Sequence, residues 1–476
     1  MALCVIRSRR SLVVPSQQTP SGKLDLSFID KVPVLRCYTR TLHVYKNGPG
    51  ASKVIKEALS KALVPYYPLA GRLKESDANQ LHVECSGEGV WFVEASADCT
   101  LDAFDYFDTA SFTIPYDELL PDQVPKSEGM EPLVQMQVTQ FACGGFVIGL
   151  IFCHTICDGL GSAQFLNAVG ELARGIEHLS VAPVWQRDFF LTPTQQANVG
   201  QLANLPMPPP MPGNPLEHVS IDISLDEINQ LKKEFHESTG QTCSAFEIVA
   251  ANFWRQRTRA ISFKPGTEVR LLFFANCRQL VDPPLPKGFY GNCFFPITIT
   301  TPCDLLEQTS AINVIKLIQE AKTKLPYEFA KFKNGDYLRD GKDPFLAPLG
   351  YTTLFISEWG RLGFNQVDYG WGPPVHMVPI PGSSIIPVGI MGSLPLPKKG
   401  VRLMTCDCEG AGEMFQVTTL ISESKKLEKE LIKNPPPSEA AIEAARQLVS
   451  ERREVVKQLK AAKASKLDIT ASVAET

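Results

Sequence analysis

The sequence predicts a mixed α/β (α+β) protein of two or three domains, and three observations carry that expectation. The chain has 476 residues, and a domain typically takes roughly 100–200. Strand-like runs alternate with helical periodicity through both halves of the chain. Near the middle this rhythm is broken by Pro206, Pro208, Pro209, Pro210, Pro212 and Pro215, a run that neither a helix nor a central strand accepts. The composition is that of a folded protein, with 44% hydrophobic and 21% charged residues.

The elements follow in order. Ser52–Leu63 holds Val54, Ile55, Ala58, Leu59, Ala62 and Leu63 at helical spacing, and Pro65 and Pro68 stop it. Leu81–Glu94 alternates strand-like residues with Ser86, Gly87 and Gly89 and is expected to form a hairpin. Val134–Cys143 and Gly145–His154 read as adjacent strands joined at Cys143-Gly144-Gly145, the second apolar on both faces as a central strand should be. A helix with Phe165, Leu166, Val169 and Leu172 on one stripe then runs from Ser162, the expected N-cap, to Gly175. The Pro-rich stretch is the expected crossover between domains. A second strand–helix pattern opens at Val219–Ile223, followed by helices at Leu225–Thr239 and Ser244–Ala260 and strands at Val269–Ala275 and Cys293–Thr300. After Pro435-Pro436-Pro437, Ser438–Leu459 is expected to be an exposed helix. Its apolar stripe is thin and broken by Arg452, so the extension 424–476, partly helical or disordered, is expected to be dispensable for catalysis.

Composition also excludes function classes. With 47 Lys+Arg against 51 Asp+Glu the net charge is −4, which lacks the basic surplus of a nucleic-acid binder. The longest apolar run, Phe141–Cys153, falls short of the roughly 20 residues that a membrane-spanning helix needs. Ala2–Ile6 is too short for the h-region of an export signal, and Arg7, Arg9 and Arg10 follow it instead of preceding it. The 13 cysteines are scattered without a paired framework, so a reducing, cytoplasmic setting is expected. Cys153/Cys157 and Cys406/Cys408 lack the spacing of zinc clips, and no metal is expected.

Histidine is the side chain that titrates near neutrality unaided. Two of the seven have an aspartate four residues on: His154 with Asp158, and His218 with Asp222. In a strand such residues lie roughly 13 Å apart, so the second pair, within His218-Val219-Ser220-Ile221-Asp222-Ile223, cannot cooperate. His154 instead ends a buried strand and enters the glycine-rich turn Thr155-Ile156-Cys157-Asp158-Gly159-Leu160-Gly161. That placement sets its imidazole at the mouth of a cavity, where it reads either as a structural strand end or as a general base. A second unusual stretch is Asp368-Tyr369-Gly370-Trp371-Gly372. From residue types alone it is a tight turn pinned by a buried indole.

Together these two stretches resemble the signature motifs of the plant BAHD acyl-CoA-dependent acyltransferases, His-x-x-x-Asp-Gly and Asp-Phe-Gly-Trp-Gly, in the same order. Val14-Pro15-Ser16, Thr19-Pro20, Tyr67-Pro68-Leu69-Ala70-Gly71-Arg72 and Phe289-Tyr290-Gly291-Asn292 also resemble the family. The resemblance covers residues 5–422 and is nearest to the alcohol acyltransferase branch with the grass hydroxycinnamoyl-CoA:monolignol transferases. Tyr369 departs from the usual Phe.

The resemblance implies two chloramphenicol-acetyltransferase-like domains with a channel between them. Residues 1–185 would carry His154 and Asp158, residues 186–217 the crossover, and residues 218–423 the Asp-Tyr-Gly-Trp-Gly motif. Segments near Asp368–Pro381 would swap onto the first domain. It implies that His154 is the general base, that Asp158 pairs with Arg278 away from the channel, and that the Trp359 indole N–H helps hold an oxyanion. Asp368, Gly370, Trp371 and Gly372 would shape the fold and the CoA end of the channel. The implied reaction moves a coumaroyl or feruloyl group from acyl-CoA, a co-substrate and not a bound cofactor, to an alcohol such as a monolignol in cell-wall phenolic metabolism, in a monomer. Benzoyl, acetyl or malonyl donors, an amine acceptor, and an inactive ligand-binding relative remain the alternatives.

Overall fold

The computed structural model describes residues 3–76, 80–108, 115–126, 130–189, 216–340, 342–346, 350–380 and 387–408. Most of the Pro-rich crossover and the whole extension 424–476, with its expected helix Ser438–Leu459, lie outside the described residues. The first half contains β1 (Val5–Val13), β2 (Gly22–Asp25), β3 (Tyr38–Tyr45), β4 (Arg72–Glu75), β5 (Leu81–Cys85), β6 (Val90–Ala97), β7 (Val134–Phe141) and β8 (Phe146–Cys153). The second contains β9 (Leu216–Ser224), β10 (Glu268–Asn276), β11 (Phe294–Pro302), β12 (Thr353–Glu358), β13 (His376–Ile380), β14 (Val388–Ser393) and β15 (Gly400–Cys408).

These strands form two six-stranded sheets, β1-β6-β7-β8-β3-β13 and β11-β10-β12-β14-β15-β9, and a small sheet β2-β5-β4. Each large sheet has its own apolar core. Ile55, Phe92, Val138 and Phe165 belong to the first, and Ile248, Trp254, Leu271, Leu354 and Leu403 to the second. β13 comes from the second half yet pairs antiparallel with β3, His376 opposite Val44, and so closes the edge of the first sheet. Arg402 on β15 adds an ionic tie between the halves, bonding both Asp222 on β9 and Asp108 from the first half.

The helices follow from apolar spacing and caps. α1 (Ala51–Ala62) buries Ala51, Ile55, Ala58, Leu59 and Ala62, the stripe that a 3.6-residue period aligns. Burying a side chain such as Leu59 is worth about 1.5–3 kcal/mol. α2 (Gly159–Ala173) packs against α1. α3 (Leu225–Thr239) starts at the Ser224 cap and stops at Gly240. α4 (Ala245–Ile261) carries a capping box, Ser244 accepting from the Glu247 N–H and Glu247 accepting from the Ser244 N–H. α5 (Ala311–Thr323) is capped by Ser310.

Two expectations are corrected. Leu81–Glu94 is not a hairpin: β5 pairs with β2 and β4, whereas β6 pairs with β1 and β7 in the large sheet. Residues 86–89 carry the chain from one sheet to the other, and the long antiparallel register from Val5 opposite Ala97 to Val13 opposite Val90 supplies β6 with a better partner than its neighbour. Strand alternation reports a face and not a partner. The N-cap of α2 is Asp158 and not Ser162, since the Asp158 carboxylate accepts the Gly161 N–H at 3.0 Å. The helix therefore begins inside the His-x-x-x-Asp-Gly stretch. Gly161 is required there, because a Cβ would sit 1.9 Å from the Tyr290 carbonyl oxygen.

Candidate active site

β8 delivers His154 to the junction of the two halves. β8 is a central strand, and at its end the His154 N–H donates to the Cys37 carbonyl at 2.9 Å. The Thr155 hydroxyl donates to the Leu35 carbonyl at 3.0 Å. His154 faces a cavity of about 590 Å³ built by both halves, within the size range that holds a drug-sized ligand. Thr39, Thr41, Leu150 and Phe152 line it from the first half. Phe246, Phe273, Phe274, Phe294 and Phe355 line it from the second, with Ser357, Glu358 and Trp359.

The second sheet is split at this point. β10 and β12 pair in parallel only over Arg270–Leu272 against Thr353–Phe355. Beyond that register the cavity passes between them, lined by Phe273–Asn276 on one side and Ile356–Trp359 on the other. The opening leads from His154 toward the start of α4, where Ser244 and Phe246 also line it.

The electrostatics suit a base. Burial pulls the His154 pKa below its ordinary 6.5, partly offset by nearby groups that include Asp158 and Asn292. The imidazole is thus neutral at pH 7 and free to accept a proton. The activity–pH profile should therefore be flat through neutrality and lose turnover only as pH falls through an apparent pKa below 6.5. A rate profile with its acidic limb above 6.5 would contradict this reading.

Asp158 does not orient the imidazole by a hydrogen bond. Its Oδ1 accepts from Arg278 Nη2 at 2.8 Å and from the Gly161 N–H, and its Oδ2 lies 3.5 Å from the Cys293 N. Arg278 also donates to the Gly291 carbonyl at 2.7 Å. Burial pushes the Arg278 pKa down, but the charge and hydrogen bond of Asp158 outweigh it and leave it raised. One carboxylate thus caps α2 and anchors an arginine of the second half in the same cavity wall as His154.

Trp359 lines the cavity, but its indole N–H is not offered to it. That N–H donates to the Ser357 hydroxyl at 2.9 Å. Ser357 lies near the end of β12 and Trp359 just past it, and the two side chains satisfy each other. Glu358, absent from the expected set, brings a carboxyl to the cavity wall. Burial raises its pKa, and its Oε1 accepts from the Gly360 N–H at 2.8 Å.

Asp368, Gly370, Trp371 and Gly372 do not line this cavity. Asp368 Oδ1 accepts the N–H groups of Gly370 and Gly372, both at 2.8 Å, while those glycines take φ of +110° and +90°. This geometry explains the aspartate and both glycines. Trp371 packs edge-on against Phe146, and Arg174 on the end of α2 donates to the Asp368 carbonyl. The loop is a clasp on the first sheet. Within it the Tyr369 hydroxyl is buried with no hydrogen-bond partner among the described residues. An unpaired buried hydroxyl costs about 1–3 kcal/mol. Tyr369→Phe should therefore raise the melting temperature and leave turnover unchanged, and a thermal melt with a parallel activity assay checks both.

The site also holds residues that sequence reasoning missed. Asp30, Arg187 and Asn292 are buried beneath the His154–Ile156 backbone. Asn292 stood within Phe289-Tyr290-Gly291-Asn292, a stretch noted without a role. Asp30 and Arg187 carry no local signal. The described cysteines are free thiols, and among the described residues no cluster could hold a metal and no helix is long and apolar enough to cross a membrane.

Solved structures share this architecture. Vinorine synthase matches with a TM-score of 0.68 at 22% identity, covering 88% of this chain and 98% of that one. F. sporotrichioides TRI101, complexed with coenzyme A and T-2, matches with a TM-score of 0.64 at 13% identity, covering 83% and 97%. The fold is thus that of the two-domain, chloramphenicol-acetyltransferase-like acyltransferases. The Transferase family matches residues 3–414. Acyl transferase 4 of Oryza sativa subsp. japonica is 42% identical over 438 residues, covering 85% of this chain and 95% of the relative. Myricetin 3-O-glucosyl 1,2-rhamnoside 6'-O-caffeoyltransferase AT2 of Crocosmia x crocosmiiflora is 38% identical over 423 residues, covering 85% and 96%. Benzyl alcohol O-benzoyltransferase of Nicotiana tabacum is 34% identical over 410 residues, covering 80% and 84%. The chain belongs to the Transferase family, as a BAHD acyltransferase.

Proposed function

We propose that the protein transfers a hydroxycinnamoyl group, coumaroyl or feruloyl, from CoA to an alcohol such as a monolignol, in cell-wall phenolic metabolism. The observation that carries this reading is the cavity itself: a neutral imidazole faces a chamber walled by Phe246, Phe273, Phe274, Phe294 and Phe355. The Phe274 ring lies tilted at 4.6 Å from Phe294 and edge-on at 5.3 Å from Phe355, which leaves aromatic faces and edges for a flat acyl group. A relative named as a caffeoyltransferase supports an aromatic acyl donor.

In this mechanism His154 takes the proton of the acceptor hydroxyl as its oxygen attacks the thioester carbonyl. The tetrahedral intermediate collapses, the C–S bond breaks, and His154 returns the proton to the leaving thiolate. Binding donor and acceptor together supplies much of the rate through proximity. Stabilisation of the oxyanion by Trp359 requires its N–H to turn from Ser357 to the carbonyl oxygen. Asp158 and Arg278 hold the floor of the site, and Asp368, Gly370, Trp371 and Gly372 hold the fold.

Benzoyl transfer is the second reading, favoured by the relative named as a benzyl alcohol O-benzoyltransferase and by the same phenylalanine wall. A panel of acyl-CoA donors against alcohol and amine acceptors, read by product mass, decides between them. Coumaroyl or feruloyl esters formed faster than benzoyl, acetyl or malonyl products support the proposal. Preference for benzoyl-CoA supports the second reading, and turnover only with acetyl-CoA, malonyl-CoA or amines overturns both.

A further inference from the structure

The imidazole of His154 has no hydrogen-bonded orienting group: its Nδ1 is buried without a partner among the described residues, Asp158 Oδ1 is taken by Arg278 and Gly161, and Asp158 Oδ2 faces the Cys293 N–H. Its aim must come from its backbone. That backbone is held by a buried polar cluster. Asn292 Nδ2 donates to the His154 carbonyl at 2.9 Å, to the Thr155 carbonyl at 3.3 Å and to Asp30 Oδ1 at 2.8 Å. The Asn292 N–H also reaches Asp30 Oδ1, at 3.3 Å. Arg187 forms an ion pair with Asp30 at 3.3 Å and donates to the Ile156 carbonyl at 2.8 Å. Asp30, Asn292 and Arg187 are all essentially shut off from solvent.

Two segments distant in sequence therefore reach three successive carbonyls, Asn292 those of residues 154 and 155 and Arg187 that of residue 156, and Asp30 from a third segment links the two donors. Asp30 comes from the first half, Asn292 from the β10–β11 connection of the second half, and Arg187 from the stretch leading to the crossover. A buried charged pair is an expensive way to add stability. Here it fixes an asparagine whose side-chain amide donates both to Asp30 and to the His154 and Thr155 carbonyls.

We propose that Asn292, held in place by the Asp30–Arg187 pair, is the positioning residue for His154, and that it registers the base of one half against the cavity wall of the other. The inference rests on the reading of His154 as general base. Asn292 touches no reacting atom. It sets the height and tilt of the strand end from which the imidazole projects, and a misplacement of about 1 Å can cost on the order of 100-fold in rate.

The test compares the full-length Asn292→Ala protein with the unaltered enzyme and with His154→Ala, using feruloyl-CoA and an alcohol that the unaltered enzyme esterifies. Expected for Asn292→Ala is a kcat lower by about 10- to 100-fold, a KM for feruloyl-CoA changed by less than about threefold, and an acidic limb moved to lower pH. The last follows because the nearby Asn292 side chain favours the charged imidazole. A purely structural role would lower the melting temperature and leave kcat unchanged at temperatures where the variant is folded, and that result overturns the inference. Should Asn292→Ala fail to fold, Asn292→Ser, which keeps a shorter donor, is read by the same split. A kcat between those of the parent and His154→Ala supports the proposal, and a parental kcat overturns it. If His154→Ala itself keeps full turnover, the base reading falls and this inference falls with it. If His154→Ala is inactive while Asn292→Ala turns over like the parent, only the positioning role falls.

Discussion

Replacing His154 with alanine should lower turnover by about 10²–10⁴-fold, the usual loss on removing a general base, while leaving a folded protein. The expectation follows from where the residue sits. Its backbone is secured by the Cys37 and Asn292 contacts, which the substitution keeps. Its ring faces the cavity and meets Phe294 edge-on at 6.3 Å between centroids, so truncation enlarges a chamber and does not open a hole in the core. The KM for the acyl donor should change little, because the base acts as charge develops in the transition state. His218 is the matched control. It is exposed on β9, at the outer edge of the second sheet, opposite Cys406, and His218→Ala should leave kcat unchanged. Steady-state kinetics and circular dichroism on the two variants check both statements. Near-parental turnover by a folded His154→Ala protein would remove the mechanism.

Asp158→Ala should be the most damaging change to stability at the site. The Asp158 and Arg278 side chains are each only 11% exposed. Removing the carboxylate strands a buried guanidinium, a loss of about 3–5 kcal/mol. It also removes the N-cap of α2, a further loss of about 0.5–2 kcal/mol. Asp158→Asn should be milder, because asparagine caps helices as well as aspartate does and still accepts a hydrogen bond from Arg278. The expected order of melting temperature is parent, Asn, Ala, with activity following the same order. Equal kinetic losses in the two variants, with melting temperatures unchanged, would mean that Asp158 relays protons and does not serve as an anchor.

How much of this was legible beforehand depended on the range of each interaction. α1, α3 and α4 were readable because helix periodicity and the Ser224 and Ser244 caps are local. His154 stood out as a candidate base for a similar reason: a buried strand that stops at His154 before a glycine-rich turn is a local pattern. The partner of β6 was not readable, since it lies at the N-terminus, some eighty positions away in register. Nor was the capture of the Trp359 N–H by Ser357, which depends on two side-chain rotamers. The Asp30–Arg187–Asn292 cluster joins residues up to 262 positions apart, and no periodicity brings such residues together on paper. Asp158 was visible as a partner for Arg278 through family resemblance, yet its second role as helix cap needed the start of α2 to be seen.

The central claim is direct transfer between two bound substrates at His154, without an acyl-enzyme. It is tested most directly by incubating the purified protein with feruloyl-CoA, with and without an alcohol acceptor, and following free CoA thiol together with the intact mass of the protein. The account predicts thiol release only when the alcohol is present, ester formed in equal amount, and no change in protein mass. A stoichiometric burst of thiol with a feruloyl adduct on the protein, in the absence of alcohol, would contradict it.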